Sequence, residues 1–202
     1  MKQTPLIALF VSIIGVSFAA VIIKTITAAP LVISFYRLLF TTLLLAPFIF
    51  FIPKIRRQIR RITFKELLIM SIIGIILALH FTFWITSLQY TTVASSVILV
   101  TSHPILVAPL SFFLLKEHIS RLNILGIGLS LFGVFVLLFF NYSHELGQTS
   151  LLGNSLAFLG GIAAGLYILG GRFIRKTVSV LIYAVIVYAI ATIVLLSFIS
   201  IF

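Results

Sequence analysis

A chain of 202 residues that is 62% hydrophobic and 8% charged has too few polar side chains to cover a water-exposed surface, which excludes an ordinary soluble domain, where about a quarter of residues are charged. Its net charge of +11 would suggest nucleic acid in a soluble protein. Here the charges stand between apolar runs, so orientation in a bilayer explains them and no nucleic-acid partner is expected. With no cysteine there is no disulfide framework and no thiolate metal or redox site.

Seven apolar runs follow in order, at residues 6–23, 31–52, 67–88, 93–115, 122–140, 151–171 and 178–202. Each is about the length that crosses a hydrocarbon core as a helix. Alternation of period two is absent and the runs overshoot a membrane strand, so the fold class is all-α, a polytopic transmembrane helix bundle. The first run is read as a span rather than a cleaved leader, because it is long and more spans follow. The last stays apolar to Phe202 without a polar anchor, the expected look of a chain cut short.

Charge orients the bundle. Lys54, Arg56, Arg57, Arg60, Arg61 and Lys65 lie between spans two and three. Lys116 and Arg121 follow span four, and Arg172, Arg175 and Lys176 follow span six. With Lys2, twelve of the 14 basic residues fall on one side, while the connections at 89–92 and 141–150 have none. The positive-inside rule puts the N-terminus in the cytoplasm and the C-terminus outside. The cluster at 54–65 is read first as topology and second as a contact for anionic lipid headgroups.

Span four is the most interrupted. Pro104 lacks an N–H and clashes with the carbonyl of Val100, and Pro109 does the same to Ile105, so both are expected to kink the helix. The freed carbonyls need a partner, whether a neighbouring helix, Thr101, Ser102, water or a substrate. Ser96 and His103 share one face of this span. On span three, His80, Trp84, Ser87 and Thr91 form a polar and aromatic stripe at helical spacing, suited to a cavity wall or to helix contact. Arg37 lies about seven residues inside span two, roughly 10 Å deep. A central arginine costs at least about 2.5 kcal/mol, so it must face the bundle or snorkel outward. Facing the bundle, it is either a residue that holds helices together or an anion or carboxylate contact in the cavity. Lys24, at the outer end of span one, reads as an interfacial anchor. The candidate cavity set is Arg37, His80, Trp84, Ser87, Ser96, Thr101, Ser102 and His103.

The three acids, Glu66, Glu117 and Glu145, all fall at connections. No carboxylate is placed to exchange protons with a bound cation, which favours neutral, zwitterionic or anionic substrates. The stripes Ala157, Gly161, Gly165 and Gly126, Ser130, Gly133 are expected to let helices pack closely.

The order and spacing of several segments resemble the drug/metabolite transporter superfamily, in particular its EamA-like branch. They are G-V-S-F-A-A-V-I-I-K at 15–24, S-F-Y-R-L-L-F at 34–40, L-Q-Y-T-T-V-A-S-S at 88–96, H-P-I-L-V-A-P-L-S-F-F-L-L-K-E-H-I-S at 103–120 and L-G-I-G-L-S-L-F-G-V-F-V-L-L at 125–138. A second opening, L-L-G-N-S-L-A-F-L-G-G-I-A-A-G-L-Y, follows at 151–167. The resemblance implies ten helices in two inverted five-helix repeats around a central cavity, moving small metabolites, often outward. It divides this chain into a first repeat at 1–140, an extracytoplasmic linker at 141–150 and two helices of a second repeat at 151–202. Small multidrug-resistance relatives use a glutamate in the first helix, and this chain has none there.

The expected function is therefore secondary transport, as an exporter, of small metabolites across the cytoplasmic membrane by alternating access, without cofactor, metal or enzymatic step, with the lipid bilayer as partner and a homodimer left open. The competing expectation is a truncated, non-transporting fragment, or a half that needs a partner. A retinal protein would need a lysine in the last span, which has none. A membrane enzyme would need more than the adjoining Glu117 and His118.

Overall fold

The computed structural model describes residues 4–116, 120–144 and 148–201, all helix or short connection. The helices are α1 (Thr4–Thr25), α2 (Pro30–Phe51), α3 (Pro53–Ile59), α4 (Phe64–Tyr90), α5 (Val93–Thr101), α6 (Pro104–Leu115), α7 (Arg121–His144), α8 (Gln148–Ile174) and α9 (Val180–Ile201). Five stretches among the described residues are long and apolar enough to cross a membrane: Pro30–Phe51, Phe64–Tyr90, Val93–Phe113, Leu151–Ile174 and Val180–Ile201. α1 and α7 add shorter apolar stretches, Phe10–Thr25 and Arg121–Val136. Every expected run is thus a helix, as a hydrocarbon solvent requires of backbone it cannot hydrogen-bond.

Three details differ from the sequence reading. The connection after span two contains a short helix, α3, opened by Pro53 at its first position. The expected linker at 141–150 is helical on both flanks, through residue 144 and again from 148. Span four is two helices, not one bent one.

Local signals explain several boundaries. Thr63 and Glu66 form a reciprocal capping box at the start of α4: the Glu66 amide donates to Thr63 Oγ1 at 3.2 Å, and the Thr63 amide to Glu66 Oε2 at 2.9 Å. Thr92 caps α5, accepting from the Ser95 amide at 3.1 Å.

α4 is the hub, packing most heavily on α8 and also on α9 and α2, while α2 packs along α9. One core runs through Leu38, Met70, Ile73, Leu77, Ile182, Val187, Ala191 and Leu195, and a second joins Ala20, Trp84, Ile85, Leu88 and Val100. Lipid tails are as apolar as these side chains, so close approach rather than water release must hold the helices together. A Cβ added to Gly74 would sit 2.8 Å from Ile190 Cγ2, and one on Gly153 would sit 2.6 Å from the Tyr90 carbonyl carbon. Thr91 Oγ1 seals the same α4–α8 end, donating to Asn154 Oδ1 at 2.8 Å.

Candidate functional site

The site grows from the interruption in span four. α5 ends at Thr101 and α6 begins at Pro104, which occupies a first-turn position where its missing N–H costs nothing. Pro104 therefore marks a full break, and Pro109 stays inside α6. The freed carbonyls are largely satisfied from within the segment. Leu99 O accepts from Ser102 Oγ at 2.6 Å and from the Ser102 amide at 3.3 Å, and His103 Nδ1 lies 3.2 Å from Val100 O. The glycine face of α8 packs here too: a Cβ on Gly161 would lie 2.9 Å from Leu99 O and 3.1 Å from Val100 O.

Beside the break lies a cavity of about 240 Å³ whose lining includes His80, Phe81, Trp84, Thr101, His103, Tyr167 and Tyr188. Drug-sized pockets run to roughly 300–1,000 Å³, so this volume suits a small metabolite. His80 Nδ1 lies 2.8 Å from Gly160 O. A carbonyl only accepts, so Nδ1 carries the proton of that bond, and Nε2 keeps its lone pair in the neutral ring. The imidazole stacks on Trp84 at 5.9 Å between centroids and meets Phe81 edge-on at 5.0 Å.

Arg37 stands one layer behind. Its guanidinium carbon is 5.1 Å from the ring centroids of both Phe81 and Trp84, and its side chain lines a separate groove between α1 and α2. Two cation–π contacts of about 0.5–2 kcal/mol each offset much of the cost of an arginine at this depth. They leave hydrogen-bond donors over. Arg37 Nη1 and Trp84 Nε1 are both buried with no partner among the described residues. Such a donor costs about 1–3 kcal/mol until an acceptor arrives.

The expected set therefore divides. His80, Trp84, Thr101 and His103 line the cavity, and Arg37 backs two of its rings. Ser87 and Ser96 do not line it: they are fully buried, 2.7 Å apart across the α4–α5 contact, and Ser87 Oγ also lies 2.6 Å from Trp84 O. Ser102 lines a different cleft, about 490 Å³ in volume, between α6, α7 and α8. That cleft is larger, but His80 and Trp84 are not in its lining. Tyr167, Tyr188 and Phe81 were missed. The tyrosines come from the two last helices, and no spacing within one helix connects them to His80.

Lys24 is no simple anchor. Its ammonium donates to the carbonyls of Leu88 and Thr91 at the end of α4, where the helix dipole favours a cation. Of the small-residue stripes, Ala157, Gly161 and Gly165 pack as expected. Gly126 and Gly133 on α7 have nothing within 4 Å of an added Cβ, and Gly126 and Ser130 face the larger cleft instead. Glu117, His118 and Glu145 lie outside the described residues.

Residues 3–139 match the EamA-like transporter family, over two thirds of the chain. The chain belongs to the EamA-like transporter family. It is also similar to the "Uncharacterized transporter YetK" of Bacillus subtilis (strain 168), 35% identical over 94 residues, 46% of this chain and 28% of that relative. The match thus spans little more than a quarter of the relative's length. No solved structure matches. The EamA-like chain is a multi-pass membrane protein, with five stretches among the described residues long and apolar enough to cross a membrane.

Proposed function

We propose that this EamA-like protein carries small metabolites bearing an acceptor group, anionic or zwitterionic, across the cytoplasmic membrane by alternating access, with the cavity at His80 and Trp84 as the substrate site. The observation that carries the reading is the pair of buried, unpartnered donors, Arg37 Nη1 and Trp84 Nε1, beside a cavity lined by two histidines. A carboxylate or carbonyl oxygen offers what both donors lack. No aspartate or glutamate falls between residues 67 and 116 or between 148 and 202, so none competes for them from the later helices.

Outward transport and an N-terminus in the cytoplasm belong to this proposal. The packing of α2 along α9 supports an inverted-repeat arrangement, since these would hold the second place in each repeat. The break between α5 and α6 supplies an element able to rock without unwinding a continuous helix. Arg37 orients the acceptor, His80 holds the wall to α8 through Gly160, and the aromatic rings exclude water from the charged contact.

The test is uptake or efflux of a panel of carboxylate, zwitterionic and cationic metabolites in vesicles bearing the protein. Arg37→Ala and His80→Ala should each lower flux of the preferred substrate by about tenfold or more at equal expression, as expected for loss of a contact to a charged group. Undiminished flux in both sinks the cavity assignment. Preference for organic cations sinks the substrate class.

A further inference from the structure

At the bundle end marked by the basic connections, α3 builds a second polar site that the transport reading does not use. Ile55, Ile59 and Ile62 pack inward against the core that contains α9. Helical spacing then puts Lys54 and Arg57 on the face of α3 away from that contact, Arg61 follows in the turn after the helix, and all three are exposed. They line a cleft of about 660 Å³ closed by Gln58, Glu66, Thr177 and Val178. Gln58 Nε2 donates to Thr177 O at 3.1 Å and holds α3 to the turn before α9.

Among the described residues, the one carboxylate lining the cleft is already engaged. Glu66 Oε2 accepts from the Thr63 amide and hydroxyl, both at 2.9 Å, and Oε1 from Thr177 Oγ1 at 2.8 Å. Among the described residues Lys54, Arg57 and Arg61 make no ion pair or side-chain hydrogen bond. Three cations thus converge on one open cleft with their donors unspent, a geometry suited to phosphate oxygens.

The surroundings select the kind of phosphate. Phe50, Phe51 and Phe64, on the flanking ends of α2 and α4, are 71%, 80% and 80% exposed. The cationic cleft thus stands on the segment between two helix ends that carry exposed apolar rings, which matches a headgroup joined to acyl chains and not a free ion. We infer that Lys54, Arg57 and Arg61, in the cleft where Gln58 ties α3 to Thr177, form a binding site for the phosphate headgroup of an anionic membrane lipid, which braces α3 against the α8–α9 turn.

Titration of the detergent-purified protein with phosphatidylglycerol, phosphatidylcholine of the same chains, and glycerol phosphate, followed by native mass spectrometry, tests this. Wild type should retain phosphatidylglycerol over phosphatidylcholine. K54Q/R57Q/R61Q should lose retention by about tenfold or more, whereas R56Q/R60Q/K65Q, which removes the same charge from the same connection, should change it less than about threefold. If the triple variant does not fold, single R57Q against R56Q gives the same comparison on a smaller scale. Equal losses in the two sets would mean general charge attraction and overturn the site. Equal retention of both lipids by wild type overturns it, as does glycerol phosphate binding as tightly as the lipid.

Discussion

Trp84 shows how one residue serves packing and chemistry together. Its ring is 5% exposed, stacks on His80 and underlies Arg37, yet its indole N–H has no partner among the described residues. Trp84→Phe keeps an aromatic ring for the stack and deletes the donor. The protein should stay as stable or gain up to about 1 kcal/mol, because a buried unsatisfied group is removed, while substrate affinity falls several-fold. Thermal unfolding in detergent beside a substrate-binding titration separates the two effects. Loss of stability without loss of affinity would show that the N–H serves the fold. The Ser87–Ser96 pair behaves in the opposite way. Ser87→Ala strands the Ser96 hydroxyl in a buried site and should cost about 1–3 kcal/mol. Adding Ser96→Ala should recover part of that loss, and a double-mutant cycle on unfolding measures the coupling. From sequence, all four members of the His80–Thr91 stripe looked alike. The structure sends His80 and Trp84 to a cavity, Ser87 to another serine and Thr91 to Asn154, because a stripe at 3.6 spacing turns across more than one neighbouring helix.

At the scale of elements, the glycines of α8 and α7 look the same in sequence and differ in effect. Gly161→Ala pushes a Cβ against two carbonyl oxygens of α5, backbone that cannot step aside, and should destabilise by about 1–3 kcal/mol. Gly126→Ala meets open space and should stabilise by up to about 1 kcal/mol through helix propensity alone. Similar shifts in unfolding temperature for the two variants would contradict the α5–α8 close approach. The broken span invites a related experiment. Pro104→Ala restores an amide that can reach toward Val100 O and lets α5 run on into α6. Stability should hold or rise while transport falls, if the break is what moves. Amide exchange around residues 100–106 reports whether the helix has closed, and unchanged flux in a closed helix would sink the mechanical role. Sequence marked the interruption through Pro104, but not its form. A proline stands as well at the first turn of a new helix as at a bend; in the structure the Leu99 carbonyl at the break takes both the hydroxyl and the amide of Ser102.

For the whole molecule, the charge distribution makes the most direct prediction. Twelve of the 14 basic residues lie on the proposed cytoplasmic side. The chain has no cysteine, so a single introduced one is an unambiguous reporter. Arg60→Cys should resist an impermeant thiol reagent added outside intact cells, and Gln89→Cys, at the exposed end of α4, should react with it. The reverse pattern would invert the orientation and with it the direction assigned to every cavity group.

What could be read from composition and order alone was the class of solvent around the chain, the helical form of its runs and its family. These follow from local facts: an apolar run in lipid has no satisfactory backbone partner but itself, and each run carries that constraint wherever it packs. The constellation at the cavity could not be read this way. Arg37 on α2, Trp84 on α4, His103 beside the break, Tyr167 on α8 and Tyr188 on α9 come together only because α4 lies against both of the last helices. That packing rests on a few angstroms of close approach at Gly74, Gly153 and Gly160, and on which faces those glycines happen to leave bare. Periodicity names the faces of each helix, but only the packed bundle decides which face meets which.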